Sequence, residues 1–358
     1  MSMAPKILFV PVSDIKGIGE YMRSVILANG ILAQWPDAQI EFVLNRHASY
    51  IADCPFPSHQ TPDNPTLCTV EVNQVISQFK PDLVIFDASG RKAQLKHAHN
   101  CGAKVVFISQ HRRKRARGMK IGRARVTDCH WVVQPEYVMG DISGFERWKL
   151  KLFDCRPPVF TGAIFPHPTQ SMQQALLHRY QLQPQEYLLY SAGSGGHRRG
   201  NALAADRFAQ AAQRYYQASG VKSVMVFGPN YPNPLPELEG IIAINQLSSF
   251  EFINLLACAR AAVLSGGDTL LQAIALKIPT LAVAVSKDQP NRIKHCAQRG
   301  LVLSCEQDAS AIVEQLDLLL QQEVLARLKD KMNGEPQSNG MDICLAEISS
   351  LLGESFAN

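Results

Sequence analysis

A chain of 358 residues exceeds what one hydrophobic core usually covers, and a composition of 46% hydrophobic and 19% charged residues excludes a disordered, collagen-like or disulfide-dense chain. Its apolar runs are strand-length, no secretory signal opens it, and its nine cysteines lack the spacing of a metal or redox motif. We therefore expect a soluble, cytoplasmic protein of two domains with free thiols, a modest net charge of +5 and no bound metal.

The first half alternates short apolar runs with helical stretches, beginning with a strand at 7–12 and a helix at 17–33. Further strands are predicted at 40–44, 83–87, 105–109 and 131–134, with helices at 70–79 and 95–100. Short runs rich in Val and Ile that alternate with helices are typical of a parallel sheet covered on both faces. Residues 1–165 are therefore predicted to form a Rossmann-like domain.

A proline-rich segment at 156–168 interrupts this alternation and is interpreted as the connection to a second domain, residues 166–358. The alternation then restarts, with strands at 187–191, 223–227, 241–244, 261–265 and 280–285 and helices at 201–219, 250–260, 269–276, 309–331 and 342–352. The predicted fold class is α/β, with two Rossmann-like domains whose parallel sheets face a central cleft. A ligand in such a cleft can meet the carboxyl ends of both sheets.

The strongest motif is a run of small residues between a strand and a helix, which we name the donor turn: Ser265, Gly266, Gly267, Asp268 and Thr269. Glycines let a backbone approach a phosphate closely, and the N–H groups at the start of a helix point toward it. Gln272, about one turn further on, is placed to reach a ribose hydroxyl. Taken alone, the motif is weak, because many strand–glycine–helix turns are only tight corners.

Two further loops are predicted to lie beside the donor turn. Asp288 and Gln289 follow the next strand, and a carboxylate next to an amide suits sugar hydroxyls, which both donate and accept hydrogen bonds. By themselves these two residues would indicate an ordinary turn and N-cap. The other segment, which we name the glycine loop, follows the strand at 187–191 and contains Gly193, Ser194, Gly195, Gly196 and His197. It is interpreted as a ligand loop, although such a run is also typical of a flexible surface loop.

The segment 261–302 resembles the donor domain of GT-B glycosyltransferases, in particular the family 28 group with the lipid-linked peptidoglycan N-acetylglucosaminyltransferase and the UDP-sugar hydrolase of pseudaminic acid synthesis. The matching positions are Ser265, Gly266, Gly267, Thr269, Gln272, Pro279, Asp288 and Gln289. The resemblance implies that these elements hold the diphosphate, ribose and sugar of a UDP-linked co-substrate, with no other cofactor. It also implies inversion at the anomeric carbon and a role in cell-envelope glycans.

The first half carries a similar turn, with Gly17, Gly19, Glu20 and Arg23 at its key positions. It resembles the Gly-x-Gly-His-x-x-Arg turn of the same group, whose histidine lies at the reaction centre, which implies that the two glycines contact the substrate. Here Glu20 replaces the histidine. A carboxylate at a helix start can serve as the general base, or it can merely stabilise the helix. The other candidate bases are Asp14, His111 and His197.

A run of basic residues without an acidic one extends over 112–125. His111, Arg112 and Arg113 open it, directly after the strand at 105–109, and are predicted to contact the substrate. Arginines bind phosphate well, and a basic residue near an anionic membrane contributes about 1 kcal/mol. These properties favour contact with an anionic or lipid-linked acceptor, or a peripheral contact with the inner face of the membrane, over a solvated loop. A single cluster without interleaved aromatic residues argues against nucleic-acid binding.

Together these patterns predict a glycosyltransferase that moves a sugar from a nucleotide-diphosphate sugar to an acceptor hydroxyl by a single displacement. Because no metal motif is present, and the resemblance implies that backbone amides stabilise the leaving diphosphate, we expect metal independence. The alternatives are a nucleotide-sugar hydrolase or epimerase of the same fold, and a non-catalytic protein that binds a nucleotide sugar. The sugar, the nucleotide base and the acceptor do not follow from the sequence.

Overall fold

The computed structural model describes residues 4–13, 18–335 and 339–353, which fold into two compact units. The described residues up to Ile164 and from Asn339 onward form the first unit, and those from Phe165 to Glu335 form the second. In these ranges no helix is both long enough and apolar enough to cross a bilayer.

The first unit is built on a parallel sheet flanked by helices. Its strands are β1 (Lys6–Pro11), β2 (Gln39–Asn45), β3 (Ser58–Thr61), β4 (Leu83–Asp87), β5 (Lys104–Ser109), β6 (Cys129–Val132) and β7 (Val159–Phe160). Its helices up to this point are α1 (Gly19–Gln34), α2 (Thr69–Phe79), α3 (Lys92–Asn100), α4 (Arg112–Gly118), α5 (Ile121–Ala124), α6 (Glu136–Met139) and α7 (Gly144–Leu152). In the described residues the strand order is β3-β2-β1-β4-β5-β6-β7, with every pairing parallel.

The apolar runs of the first half become strands because both faces of the sheet are buried. In β1, Ile7 and Phe9 enter the core on the side of α1, whereas Leu8 and Val10 enter a separate core with Val72 of α2. Successive side chains of a strand point to opposite faces, so a strand with a core on each side is apolar at every position. This confirms the predicted parallel α/β architecture of the first half.

The second unit repeats this architecture. Its elements are α8 (Gln170–Tyr180), β8 (Leu188–Ser191), β9 (Arg198–Arg199), β10 (Ala202–Leu203), α9 (Ala204–Ser219), β11 (Ser223–Val226), β12 (Ile241–Ile244), α10 (Ser249–Cys258), β13 (Ala261–Ser265), α11 (Asp268–Ala275), β14 (Thr280–Val283), α12 (Gln289–Gln298), β15 (Leu303–Cys305), α13 (Ala309–Leu319) and α14 (Gln322–Asn333). Its described parallel sheet has the order β12-β11-β8-β13-β14-β15, and β9 and β10 form a separate antiparallel hairpin.

The last helix, α15 (Gly340–Leu352), corrects the predicted boundary of the second domain, because it belongs to the first unit. Its apolar face carries Met341, Cys344 and Ile348, all buried in the core shared with α1. The Gly340 N–H donates to the carbonyl of Ala163 over 2.9 Å. Since an apolar helical face can be buried against either sheet, the helix pattern at 342–352 alone did not indicate which domain it completes.

Two predicted helices have different limits in the structure. The helix expected at 309–331 is divided into α13 and α14, because Gln321 adopts an extended conformation between them. The helix expected at 201–219 begins at Ala204, since the preceding residues form the hairpin β9–β10. The glycine loop is therefore followed by a hairpin rather than directly by a helix.

Candidate functional site

Three loops of the second unit emerge at the same edge of its sheet. β13 pairs in parallel with β8 on one side and with β14 on the other, so that Leu264 lies opposite Ser191 and Ser265 lies opposite Val283. The glycine loop, the donor turn and the loop that contains Asp288 follow these three strands. The structure thus brings together the segments that the sequence assigned to a nucleotide sugar.

Glycine residues allow the glycine loop to fit closely against its neighbours. Gly193 has a φ of +85°, and a Cβ atom there would lie 3.3 Å from Ser265 Oγ in the donor turn. Gly195 has a φ of +89°, and its Cβ would lie 2.4 Å from the carbonyl oxygen of Phe227. The carbonyl of Ser194 accepts a hydrogen bond from the Asn230 N–H over 2.8 Å. These contacts favour an ordered loop over the flexible loop considered from sequence, and its role in binding a ligand stays a prediction.

The donor turn leaves the start of α11 without a side-chain cap. Gly267 is the N-cap, in an extended conformation, and has no side chain to accept from the first N–H groups. Asp268 is exposed, whereas Thr269 and Gln272 are half-buried. The first N–H groups of a helix need a partner from outside the helix, and an anion is favoured there. The turn is therefore suited to bind a phosphate group.

Gln289 has a structural role that the sequence did not indicate. Its Oε1 accepts the N–H of Gly266 over 3.1 Å and the N–H of Val285 over 2.9 Å. The buried amide side chain thereby fastens the donor turn to the end of β14. With this oxygen engaged, the predicted contact of Gln289 with a sugar would fall to its amide nitrogen.

Arg292 is a residue of the site that the sequence analysis missed. It lies on α12, where its Nη1 donates to the carbonyl of Gly266 over 2.6 Å and its Nη2 is 3.6 Å from Asp268 Oδ1. A positive charge thus stands beside the donor turn. The signal was present in the spacing, because Arg292 lies one helical turn after Asp288, but a single arginine on a helix is usually only a solvated residue.

The remaining predicted residues of the second unit lie in or next to these loops. Asp288 is exposed at the N-cap of α12, and its Oδ1 accepts from the Ser286 hydroxyl over 2.6 Å. Gly196 is exposed, and His197 is half-buried at the end of the glycine loop, where its carbonyl accepts the Ala204 N–H. Their contacts with a ligand stay predictions.

In the first unit, Glu20 belongs to a chain of polar side chains at the carboxyl ends of β4 and β5. Gln110 Nε2 donates to Glu20 Oε1 over 2.8 Å, and Gln110 Oε1 accepts from Arg23 Nη1 over 3.0 Å. Arg23 in turn forms two bonds to Asp87, of 2.8 Å from Nε and 2.6 Å from Nη2. Glu20 lies in the first turn of α1 and is half-buried. Its carboxylate is therefore oriented by a neighbour and is not simply a solvated helix-start residue.

The charges around Glu20 include an ion pair that is removed from water. Asp87 is fully buried and Arg23 nearly so. Burial raises the pKa of the Asp87 carboxyl, and the two bonds from Arg23 oppose that rise. Lys114 Nζ donates to the carbonyl of Ala88 over 2.8 Å. Burial lowers the pKa of Lys114, whereas Glu20 and Asp87 act to raise it, so a cation faces these carboxylates.

Most of the basic run 112–125 is helical in the structure, as α4 and α5, and two of its arginines bind carbonyl groups at the end of α6. Arg112 Nε donates to Met139 over 2.8 Å, and the buried Arg115 donates to Gly140. His111 is the exposed N-cap of α4, and Arg113 is exposed in its first turn. The run is thus mostly helical and not the loop that was one alternative, while most of its basic side chains are exposed to solvent. Gly19 is the first residue of α1, while Asp14 and Gly17 lie outside the described residues.

Solved structures match the chain over nearly its whole length, whereas no protein-family model and no curated protein matches it. The spinosyn forosaminyltransferase SpnP matches with a TM-score of 0.65 at 12% identity, covering 98% of this chain and 100% of SpnP. CalG4, the calicheamicin glycosyltransferase, matches with a TM-score of 0.63 at 15% identity, covering 98% and 99%. MurG from Acinetobacter baumannii matches with a TM-score of 0.61 at 15% identity, covering 97% and 100%. The chain therefore has the α/β fold of the GT-B glycosyltransferases.

Proposed function

We propose that the protein is a glycosyltransferase that binds a nucleoside-diphosphate sugar in its second unit and transfers the sugar to an acceptor hydroxyl. The donor turn carries this proposal, because it combines an uncapped helix start, two adjacent glycines without side chains to block a ligand and the guanidinium of Arg292. Such an arrangement suits the several negative charges of a diphosphate. The shared fold with SpnP and CalG4 supports the reaction class.

The donor is proposed to be held along the sheet edge formed by β8, β13 and β14. The first N–H groups of α11 and the hydroxyl of Thr269 donate to the diphosphate, Gln272 binds the ribose, and Asp288 binds sugar hydroxyls. As the bond between the sugar and the diphosphate breaks, negative charge grows on the leaving oxygen. Donors fixed at that oxygen stabilise the transition state more than the ground state. We assign uracil to the donor base, in keeping with the resemblance described above.

The acceptor is proposed to be activated by Glu20. The acceptor oxygen attacks the anomeric carbon, the bond to the diphosphate breaks, and the acceptor proton passes to the Glu20 carboxylate. One displacement of this kind inverts the anomeric configuration. The bond from Gln110 to Oε1 supports this role, because it fixes the orientation of the carboxylate.

Metal independence is a further part of the proposal. Arg292 beside the donor turn supplies a fixed positive charge of the kind that a divalent cation supplies elsewhere. We expect sugar transfer to be unchanged by a chelator. Metal independence would be contradicted if a chelator abolished sugar transfer and added Mg²⁺ or Mn²⁺ restored it.

The donor site is tested by thermal unfolding with UDP, dTDP and UDP-sugars. A ligand that binds only the folded state stabilises it by about 2.7 kcal/mol at a hundredfold excess over Kd. We expect UDP or a UDP-sugar to raise the Tm of the wild type, and Gln272→Ala and Arg292→Ala to reduce this rise. Lys294→Ala, an exposed residue of α12, is the matched control and should respond like the wild type. If no nucleotide raises the Tm, the donor assignment fails.

Product analysis then separates transfer from the alternatives. Release of free sugar from donor and water would favour a hydrolase, and a change of sugar configuration without transfer would favour an epimerase. Nucleotide binding without turnover, with any acceptor tried, would favour a non-catalytic binding protein. Transfer to an acceptor, with inversion seen by NMR of the product, is the result we expect.

A cytoplasmic location, with peripheral contact between residues 112–125 and the membrane, also belongs to the proposal. The exposed Arg113, Arg117, Lys120 and Arg125 could supply the charge for such a contact. Fractionation of cells with and without a high-salt wash tests it, because an electrostatic contact is released by salt.

A further inference from the structure

A cavity lined by basic residues lies in the first unit. It measures about 440 Å³ and is lined by Lys92, Arg117, Lys120, Gly122 and Arg123. Lys92 begins α3, Arg117 lies in the last turn of α4, and Gly122 and Arg123 belong to α5. The volume falls within the roughly 300–1,000 Å³ of small-molecule sites. All charged residues of its lining are cations, which indicates an anionic ligand.

Within the described part of the chain, the four cations of this basic cavity share no counter-ion. Among the described residues, none of them forms an ion pair with a carboxylate. Like charges around one cavity repel each other; water screens this repulsion at the exposed Lys92, Arg117 and Lys120, and less so at the buried Arg123. A bound anion would relieve this repulsion for all four at once.

Arg123 gives the strongest indication of an anionic ligand, because its charged side chain is buried, with a relative exposure of 6%. Its Nη1 and Nη2 donate to the carbonyl of Gly90, and among the described residues its Nε has no hydrogen-bond partner. Burial lowers the pKa of Arg123, and the neighbouring Arg117 lowers it further. An arginine stays charged in proteins, and a buried charge without a counter-charge is costly. An anion in the basic cavity would supply that counter-charge.

Gly122 leaves room for the Lys92 ammonium group beside α5. A Cβ atom at position 122 would lie 2.7 Å from Lys92 Nζ. An exposed helical glycine costs about 1 kcal/mol relative to alanine. The close approach of the ammonium group explains why a glycine fits at position 122. Gly122→Ala would therefore displace the Lys92 ammonium group without changing any charge.

We propose that the basic cavity binds a phosphate group, as a phosphate monoester or a diphosphate. Arginine and lysine side chains donate to phosphate oxygens in charge-assisted hydrogen bonds, and convergence from three helices would fix the position of the group. The site shares Arg117 and Lys120 with the membrane contact proposed for residues 112–125, and it does not depend on donor binding or on sugar transfer. A soluble phosphorylated ligand and a phospholipid headgroup share this chemistry.

Calorimetric titration with inorganic diphosphate at constant ionic strength tests the site. We expect the double variant Arg117→Ala/Lys120→Ala to bind at least about 100-fold more weakly than the wild type, and Gly122→Ala about 10-fold more weakly. Lys96→Ala, an exposed residue of α3 outside the cavity, should stay within about twofold. Because inorganic diphosphate can also bind the donor turn, each titration is repeated in an Arg292→Ala background. The proposal would be overturned if Arg292→Ala abolished diphosphate binding and the cavity variants left it unchanged. That outcome would still be consistent with the donor site.

Vesicle sedimentation separates the two sources of the phosphate group. Vesicles of phosphatidylcholine with phosphatidic acid present a phosphate monoester, and vesicles of phosphatidylcholine alone are the control. Retention by phosphatidic acid that both the double variant and Gly122→Ala reduce supports a lipid headgroup in the cavity, because a general electrostatic contact would not respond to Gly122→Ala. Diphosphate binding without retention supports a soluble ligand. Binding of neither probe by the wild type would overturn the proposal. Thermal unfolding of each variant checks that it is folded, and Gly122→Ala serves as the test that retains every charge.

Discussion

Glu20 and Gln110 come from separate parts of the sequence and meet because α1 begins beside the carboxyl end of β5. The Gln110 amide bridges Glu20 and Arg23, and the same arginine is fixed by the buried Asp87. A buried ion pair at the end of such a chain limits where each member can move, since breaking it would leave a buried charge without a partner. The orientation of the Glu20 carboxylate is thus set by the fold.

If Glu20 is the general base, Glu20→Gln keeps the shape of the side chain and removes the proton acceptor. We expect kcat to fall by about 10²–10⁴-fold, the usual contribution of a general base, with little change in the Tm rise caused by UDP. Glu71→Gln is a matched control, because Glu71 is also half-buried in the first turn of a helix. A Glu20→Gln protein with wild-type kcat would show that the base lies elsewhere.

His130 provides a second prediction at the residue scale, one of stability. The side chain is buried on β6, with Nε2 at 2.9 Å from Ser109 Oγ. Burial lowers its pKa from 6.5 to about 3, and Arg115 and Arg123 act in the same direction. The folded protein therefore keeps this imidazole neutral, while the unfolded chain takes up a proton below about pH 6.5. Its contribution to stability is fully present above about pH 6.5 and is lost as the pH falls toward 3.

We expect His130→Gln to weaken the acid sensitivity of folding. Between about pH 7 and pH 5 the free energy of unfolding of the wild type should drop by about 2 kcal/mol more than that of the variant. Urea titrations at both pH values measure this difference. The change in the free energy of unfolding with pH is compared between the two proteins, so a loss of stability that the variant already shows at pH 7 does not affect the comparison. His178→Gln, at an exposed position, should retain the wild-type slope. Equal slopes for His130→Gln and the wild type would refute the argument.

At the scale of elements, the parts that could be predicted are those whose residues carry their own signal. β4 and β13 are apolar up to their last residues, Asp87 and Ser265. The donor turn begins at the end of β13, so the adjacency of the three loops could be expected from parallel pairing. β3, with the sequence Ser-His-Gln-Thr, has no apolar pattern and forms by pairing with β2. The helices of the basic run were not predicted, and Arg112, Arg115 and Arg123 bind carbonyl groups that are distant in the sequence. Arg292 was missed because only the fold brings it to Gly266.

The glycine loop allows a test of whether its shape serves nucleotide binding. Gly195→Ala places a Cβ in a left-handed conformation and against the Phe227 carbonyl, which we expect to cost about 1–3 kcal/mol and to reduce the Tm rise caused by UDP. Gly196→Ala is the matched neighbour, because its Cβ would come no closer than 3.4 Å to Asn230. Thermal unfolding with and without UDP measures both effects. An unchanged UDP response in Gly195→Ala would separate the loop from the donor site.

At the scale of the whole chain, the two units are not two consecutive halves, because α15 returns to complete the first. Its residues Met341, Cys344 and Ile348 share a core with Leu27 and Ile31 of α1. A methionine side chain also fills the space above Gly30, where a Cβ would lie 2.4 Å from Met341 Sδ. The first unit therefore depends on residues that follow the second in the sequence.

This dependence predicts that a substitution near the C-terminal end destabilises the N-terminal sheet. Ile348→Ala removes a fully buried side chain, and we expect a loss of about 2–5 kcal/mol in the free energy of unfolding of the first unit. Limited proteolysis with mass spectrometry should then show faster cleavage in the first unit, whereas the second unit keeps its response to UDP. Leu318→Ala, at a position that is 38% exposed in α13, is the control and should cost far less. If cleavage instead increased within the second unit, α15 would have to contribute to that unit's core, which its contacts with α1 argue against.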